Sequence, residues 1–251
     1  KINRKTKAIV PIHWSGRPCD MEKLQEISEK YSIPIVEDAC HALQAEYKSK
    51  RCGSFGELGC FSFHPLKNLN VWGDGGIIVT DNQSLAKRLK LIRNHGLINR
   101  DTCLEFAYNS RLDTIQAVVA KHLIENKLDQ ITSSRITNAL KYDSELREIP
   151  YLKIPERFKE NKEVFHLYTF QAHKRDKLAE FLLSNGVDAK IHYPIPMHMQ
   201  PASKKYNYEE GDFPVAEKLC KTTISLPVHE FITEKEIIYV SDLIKKFYKS
   251  I

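Results

Sequence analysis

No run of apolar residues in this 251-residue sequence approaches the roughly 20 that a helix needs to cross a bilayer, which excludes a helical membrane span. Cysteine is scarce and scattered. Cys19, Cys40, Cys52, Cys60, Cys103 and Cys220 form no CxxC pair, and a chain of this length needs no covalent staples, so reduced thiols are the reading. Cys40, His41, Cys52 and Cys60 fit no metal-ligand spacing, and no metal is expected. A strong charge of one sign is also missing. Lys and Arg number 38 against 32 Asp and Glu, a net charge of +6, and the lysines are spread along helix faces instead of interleaving with aromatics, so no nucleic-acid partner is expected. There are no internal repeats and no low-complexity tract. Finally, the opening residues are lysine-rich, but the apolar run that follows, residues 8–12, is too brief for a signal peptide. The expected setting is the cytoplasm. With no initiator Met and a strand so close to residue 1, the sequence reads as beginning partway through a longer polypeptide.

What is present is the composition of a folded protein, 42% hydrophobic and 28% charged. Residues 8–12 are a short β-branched run. Asp20 then caps a helix carrying Met21, Leu24, Ile27 and Tyr31, and residues 33–36 form a second apolar run ending in Glu37 and Asp38. Apolar strands separated by an amphipathic helix predict a βαβ unit in a parallel sheet covered on both faces. Further strands are predicted at 59–63 and 76–80, with helices over 84–93, 112–128 and 131–146. The later part predicts strands at 165–170 and 187–193, a helix over 176–183, and a last helix opened by the capping box Thr233 to Glu236. The fold class is therefore α/β, followed by a smaller α+β region, with domains at 1–129 and 130–251.

In an open parallel sheet, ligands bind at the carboxyl ends of the strands. Asp38 and His41 follow the second run, Ser62 and Lys67 the third, and a Gly73-Asp74-Gly75-Gly76 loop precedes the fourth. A carboxylate, a lysine and a hydroxyl on adjacent strand ends suit pyridoxal 5'-phosphate (PLP): the amine condenses with the aldehyde, the acid keeps the pyridine nitrogen protonated, and the hydroxyl holds phosphate.

The segments Val36-Glu37-Asp38-Ala39-Cys40-His41-Ala42, Gly53-Ser54-Phe55-Gly56, Phe61-Ser62-Phe63-His64-Pro65-Leu66-Lys67-Asn68-Leu69, Gly73-Asp74-Gly75-Gly76, Arg93-Asn94-His95-Gly96 and Tyr108-Asn109-Ser110-Arg111-Leu112 occur in one order along the chain. Together they resemble the DegT/DnrJ/StrS family of PLP-dependent nucleotide-sugar aminotransferases, with weaker echoes at His192-Tyr193-Pro194, His198 and Ser225-Leu226-Pro227. The resemblance implies a PLP-dependent transferase fold of the aspartate aminotransferase type: a mainly parallel sheet sandwiched by helices, then a small C-terminal domain. It implies that Lys67 is the catalytic Schiff-base lysine, Asp38 the pyridinium partner, His41 a neighbour of the ring hydroxyl and Ser62 a hydrogen-bond donor to the cofactor phosphate. Asn109 would reach the phosphate of the neighbouring subunit's cofactor, which makes the expected assembly a homodimer with shared active sites. Arg111 and His198 would contact substrate, and His13 and His95 would be structural. Trp72, beside the glycines, would simply pack.

The implied reaction moves an amino group from L-glutamate to a nucleotide-linked keto-sugar, in amino-sugar biosynthesis for a surface polysaccharide or glycoconjugate. Three other readings compete. Related PLP- or PMP-dependent sugar dehydratases carry a histidine where Lys67 stands, a non-catalytic partner of the same fold would bind no cofactor, and a nicotinamide oxidoreductase fails because the glycine loop precedes a strand. Family members carry further sequence ahead of the position of Lys1, including a phosphate-gripping helix N-terminus and an aromatic over the cofactor ring.

Overall fold

The computed structural model describes residues 1–250 and divides the chain into two compact units, residues 1–133 with 158–166, and residues 134–157 with 167–251.

In the first unit, Asp20 accepts a hydrogen bond from Lys23 N–H and opens α1 (Met21–Tyr31). Met21 is fully buried, whereas Ile27 and Tyr31 stay exposed, so only part of the expected apolar stripe meets a core. β1 (Val36–Asp38) is shorter than the apolar run before it, because Pro34 has no N–H to give a ladder. Residues 8–12 run parallel to β1 through two isolated bridges, Ile9 with Ile35 and Ile12 with Asp38. The βαβ unit is thus present, with a broken first strand. A small antiparallel pair not predicted from the sequence follows, β2 (Glu46–Tyr47) and β3 (Lys50–Arg51); β7 (Asn161–Lys162) adds to its edge. Its two-residue strands carry too little pattern to be read.

β4 (Leu58–Ser62) pairs parallel with β1, Asp38 lying opposite Cys60, and β5 (Gly76–Val79) pairs antiparallel with β4, Ser62 lying opposite Gly76. The sheet order is β1-β4-β5. The connection over residues 63–75 contains no helix that could carry the chain back for a parallel crossover, so β5 returns beside β4. α2 (Gln83–Ile92) is capped by Asn82, whose Oδ1 accepts from Ser84 and Leu85 N–H. α3 (Thr114–Asn126) helps to bury a core of Phe63, Leu69, Val71, Ala120 and Leu128. α4 (Leu128–Leu146) continues the chain into the second unit.

The second unit is an antiparallel sheet of β6 (Leu152–Lys153), β8 (Tyr168–Ala172) and β9 (Thr223–Leu226), in the order β6-β8-β9, with α5 (Arg175–Ser184), α6 (Pro214–Thr222) and α7 (Glu234–Lys249). Two expected strands are corrected. Residues 165–170 do not form one strand, because Phe165 takes a positive φ of 45°; β8 starts at Tyr168 and alternates buried and half-buried side chains. Residues 187–193 form no strand either. Lys190 exchanges two backbone hydrogen bonds with Ser225, of 3.0 and 2.8 Å, after which Pro194 and Pro196 offer no donor to a ladder. The capping box of α7 forms as expected: Glu236 N–H donates to Thr233 Oγ1 and Thr233 N–H to Glu236 Oε2. Asp143 on α4 is the unit's polar centre, accepting from Tyr168 Oη at 2.8 Å and Arg157 Nε at 2.9 Å.

Candidate active site

The loop over residues 63–75 is built around two buried hydrophobes. Leu69 and Val71 are almost wholly buried, and Asn68, also buried, donates from Nδ2 to Val164 O at 3.0 Å. Phe63 N–H donates to Gly75 O at 2.7 Å, Val71 N–H to Phe63 O at 3.2 Å, and Lys67 N–H to His64 O at 2.9 Å. Gln116 on α3 clamps the far side, donating from Nε2 to Val71 O at 3.3 Å and Asp74 O at 3.1 Å. These bonds fix the backbone on both flanks of Lys67.

Lys67 itself is half-buried. Burial draws its ammonium below the ordinary lysine value, against the opposing effect of Cys40 and the Asp38 carboxylate. The free amine is therefore reached at lower pH than on a surface lysine, as a nucleophile requires. Cys40 and Asp38 are the groups whose charge acts on the Lys67 ammonium. Asp38 ends β1, and Cys40 N–H donates to its Oδ1 at 3.1 Å, which leaves the other carboxylate oxygen to accept elsewhere. Burial and the adjacent Asp38 push the Cys40 thiol up to about 12, so it stays protonated, in line with its reading as a reduced thiol.

Ser62 ends β4. Its Oγ accepts from His64 N–H at 3.2 Å, so the hydroxyl proton is left to donate. His41 is half-buried, and its Nδ1 accepts from Ser15 N–H at 3.2 Å. Its ring lies 5.2 Å from Trp14 and 4.3 Å from His166.

Asn109 and Arg111 are exposed, and the next residue, Leu112, packs against the core of Phe63, Leu69 and Val71. Asn94 and Asn109 face each other across an antiparallel bridge flanked by His95 N–H to Tyr108 O and Ser110 N–H to Arg93 O. Arg111 donates from Nε to Asn109 Oδ1 at 2.9 Å and from a terminal nitrogen to Asn94 Oδ1 at 3.1 Å. With both carbonyl oxygens occupied, the two amide NH2 groups are left as donors. Immediately before Asn109, Leu104, Phe106 and Tyr108 are all exposed at alternate positions, while Glu105 between them pairs with Arg88.

His198 lies in the second unit, where Nε2 donates to Glu217 Oε1 at 3.0 Å; Glu217 also accepts from Gly211 and Phe213 N–H. Trp72 does not pack as expected. It is 79% exposed, with a positive φ of 63° that is costly for a bulky side chain. His13 is fully buried and Gln116 is a loop clamp; the apolar spacing of α3 gave no sign of the clamp.

Residues 1–245 match the DegT/DnrJ/EryC1/StrS aminotransferase family. The chain is 37% identical to a pleiotropic regulatory protein of Geobacillus stearothermophilus, over 99% of this chain and 67% of that protein. It is 35% identical to dTDP-3-amino-3,4,6-trideoxy-alpha-D-glucose transaminase of Streptomyces venezuelae, over 98% of this chain and 65% of the relative. The crystal structure of S. venezuelae DesV in complex with a ketimine intermediate superposes with a TM-score of 0.94 at 35% identity, covering 98% of this chain and 66% of that one. The chain thus spans about two thirds of the length of the relatives it matches.

Proposed function

Because the chain belongs to the DegT/DnrJ/EryC1/StrS aminotransferase family, we propose that it carries the catalytic lysine of a PLP-dependent enzyme that moves an amino group from L-glutamate to a keto-sugar held on a nucleotide. The observation that carries this reading is Lys67: half-buried, with its amine made easier to deprotonate by burial, and coupled to Asp38.

The residues present fit the cofactor. Lys67 supplies an amine for the aldehyde, Asp38 an anion for a protonated ring nitrogen, Ser62 a hydroxyl proton for phosphate, and His41 a ring nitrogen for the oxygen substituent. When bound, PLP supplies an electron sink that makes the C–H bond beside the nitrogen acidic. With PLP bound, the Lys67 amine would serve as the base that takes and returns this proton, a role favoured by the lowering of its pKa through burial. Asp38 would keep the ring nitrogen protonated, and the buried Leu69 and Val71 anchor the lysine loop.

Asn109 supports a homodimer with shared sites. Its amide donor suits a phosphate, and the exposed Leu104, Phe106 and Tyr108 before it offer apolar surface for a second copy. A cytoplasmic setting and a role in a surface polysaccharide or glycoconjugate belong to the same reading; a 27% identical relative in Bacillus subtilis is a spore coat polysaccharide biosynthesis protein. Arg111 and His198 are assigned to the substrate, His198 through an imidazole that Glu217 orients. The same reading divides the chain into a cofactor part, residues 1–129, and a smaller part, residues 130–251, whereas the compact units part at residues 133 and 134, with residues 158–166 in the first.

The test is an amino-transfer assay with L-glutamate and a panel of nucleotide keto-sugars. Equal yields of 2-oxoglutarate and amino sugar, abolished in Lys67→Ala, are expected. Loss of a sugar hydroxyl without amination would indicate a dehydratase instead.

A further inference from the structure

Glu37 and His13 are both fully buried in the first unit, and neither has a part in the chemistry described above. The Glu37 carboxylate is enclosed by four donors. His13 Nε2 at 3.0 Å and Gly53 N–H at 2.7 Å reach Oε2, and Phe55 N–H at 2.6 Å and Gly56 N–H at 2.8 Å reach Oε1. Burial alone would raise its pKa, but these donors together outweigh burial and hold it below the ordinary value, so the group is a buried anion. On the other side of the imidazole, Cys19 N–H donates to His13 Nδ1 at 3.1 Å. A nitrogen that accepts carries no proton, so His13 is neutral with its proton on Nε2, directed at Glu37.

This pair fixes the strap over residues 13–16. His13 N–H donates to Asp38 O at 3.0 Å and Gly16 N–H to His13 O at 3.2 Å, while Ser15 takes a left-handed φ of 59°. That conformation aims Ser15 N–H at His41 Nδ1. We propose that Glu37 and His13 are positioning residues for the candidate site: by holding the strap, they set the Ser15 N–H that donates to His41 Nδ1 and so keeps His41 as its Nε2-protonated tautomer. The inference rests on the reading of His41 as a cofactor-side residue, but its geometry is complete without cofactor.

Nitrogen NMR of the histidine side chains tests it in the protein without PLP, with His41 identified by the signals lost in His41→Gln. The expected wild-type result is an acceptor-type Nδ1 and a protonated Nε2 at neutral pH. In His13→Leu, Glu37 loses a donor and the strap its tie, and the His41 signals should move toward the average of the two tautomers. His13→Gln, whose amide replaces the Nε2–H donor, should restore them. Should His13→Leu not fold, Glu37→Gln reads the same effect, since it places an amide N–H where a donor arrives. A proton on Nδ1 of wild-type His41, or a tautomer unmoved in folded His13→Leu or Glu37→Gln, overturns the proposal. A protein that binds no PLP would defeat the functional reading and leave this result standing.

Discussion

Gly59 lies against Gly53 backbone to backbone: a Cβ on Gly59 would sit 2.2 Å from the Gly53 carbonyl oxygen. Gly53 itself takes a φ of 87° and has the Phe61 ring over it, so neither residue has room for a side chain. Gly59→Ala must push apart β4 and the loop that surrounds Glu37. The expected cost is about 1–3 kcal/mol, in the range of overpacked cores, read as a lower urea midpoint with little change in slope.

The buried Glu37 gives a pH-dependent prediction. Its folded pKa is depressed, so its stabilising contribution is complete above the ordinary carboxylate range and is lost as pH falls through the lower folded value. Glu37→Gln should therefore destabilise by roughly 3 kcal/mol at neutral pH, because hydrogen bonds to a charged acceptor are lost and an amide NH2 is set against N–H donors. Wild type and variant should converge in acid. Urea titrations of both proteins at neutral and acid pH measure the gap; a gap that is constant with pH contradicts a buried anion.

Gln116 ties α3 to the glycine loop. Its amide reaches Val71 O and Asp74 O, and its Oε1 accepts Asp113 N–H at 3.4 Å. Gln116→Ala should cost about 1 kcal/mol per lost bond or less. Its clearer signature is local: hydrogen exchange should accelerate over residues 71–76 and not in α5 or α7.

The cysteines should separate by reactivity. Cys103 is exposed, whereas burial raises the Cys52 thiol strongly, and burial with Asp38 pushes Cys40 up to about 12. Thiolate is the reactive form, so iodoacetamide at neutral pH should alkylate Cys103 first and Cys40 and Cys52 at least tenfold more slowly, as peptide mass spectrometry can follow.

Much of this arrangement is legible in the sequence, for definite reasons. The βαβ unit shows because Asp20, the helical spacing from Met21 and the apolar run before Asp38 are local signals. Lys67, Asp38 and Ser62 follow strands whose ends they mark. Tertiary partnerships have no such local sign. Nothing near Gln116 indicates that its amide serves a loop 45 residues away, and nothing near Glu37 indicates that three N–H groups from residues 53–56 converge on it. The expected strand at 187–193 fails for a related reason, since its apolar alternation says nothing about whether a partner edge is there beyond Lys190. Trp72, expected to pack, instead faces outward because the two residues that anchor the loop are Leu69 and Val71.

The central claim is that Lys67 holds the cofactor, and the most direct measurement is its covalent capture. After the protein is incubated with PLP at neutral pH and reduced with borohydride, peptide mass spectrometry should find one pyridoxyl-phosphate group on Lys67 and none in Lys67→Ala. Label spread over the exposed lysines, or retained in Lys67→Ala at wild-type yield, would contradict the assignment.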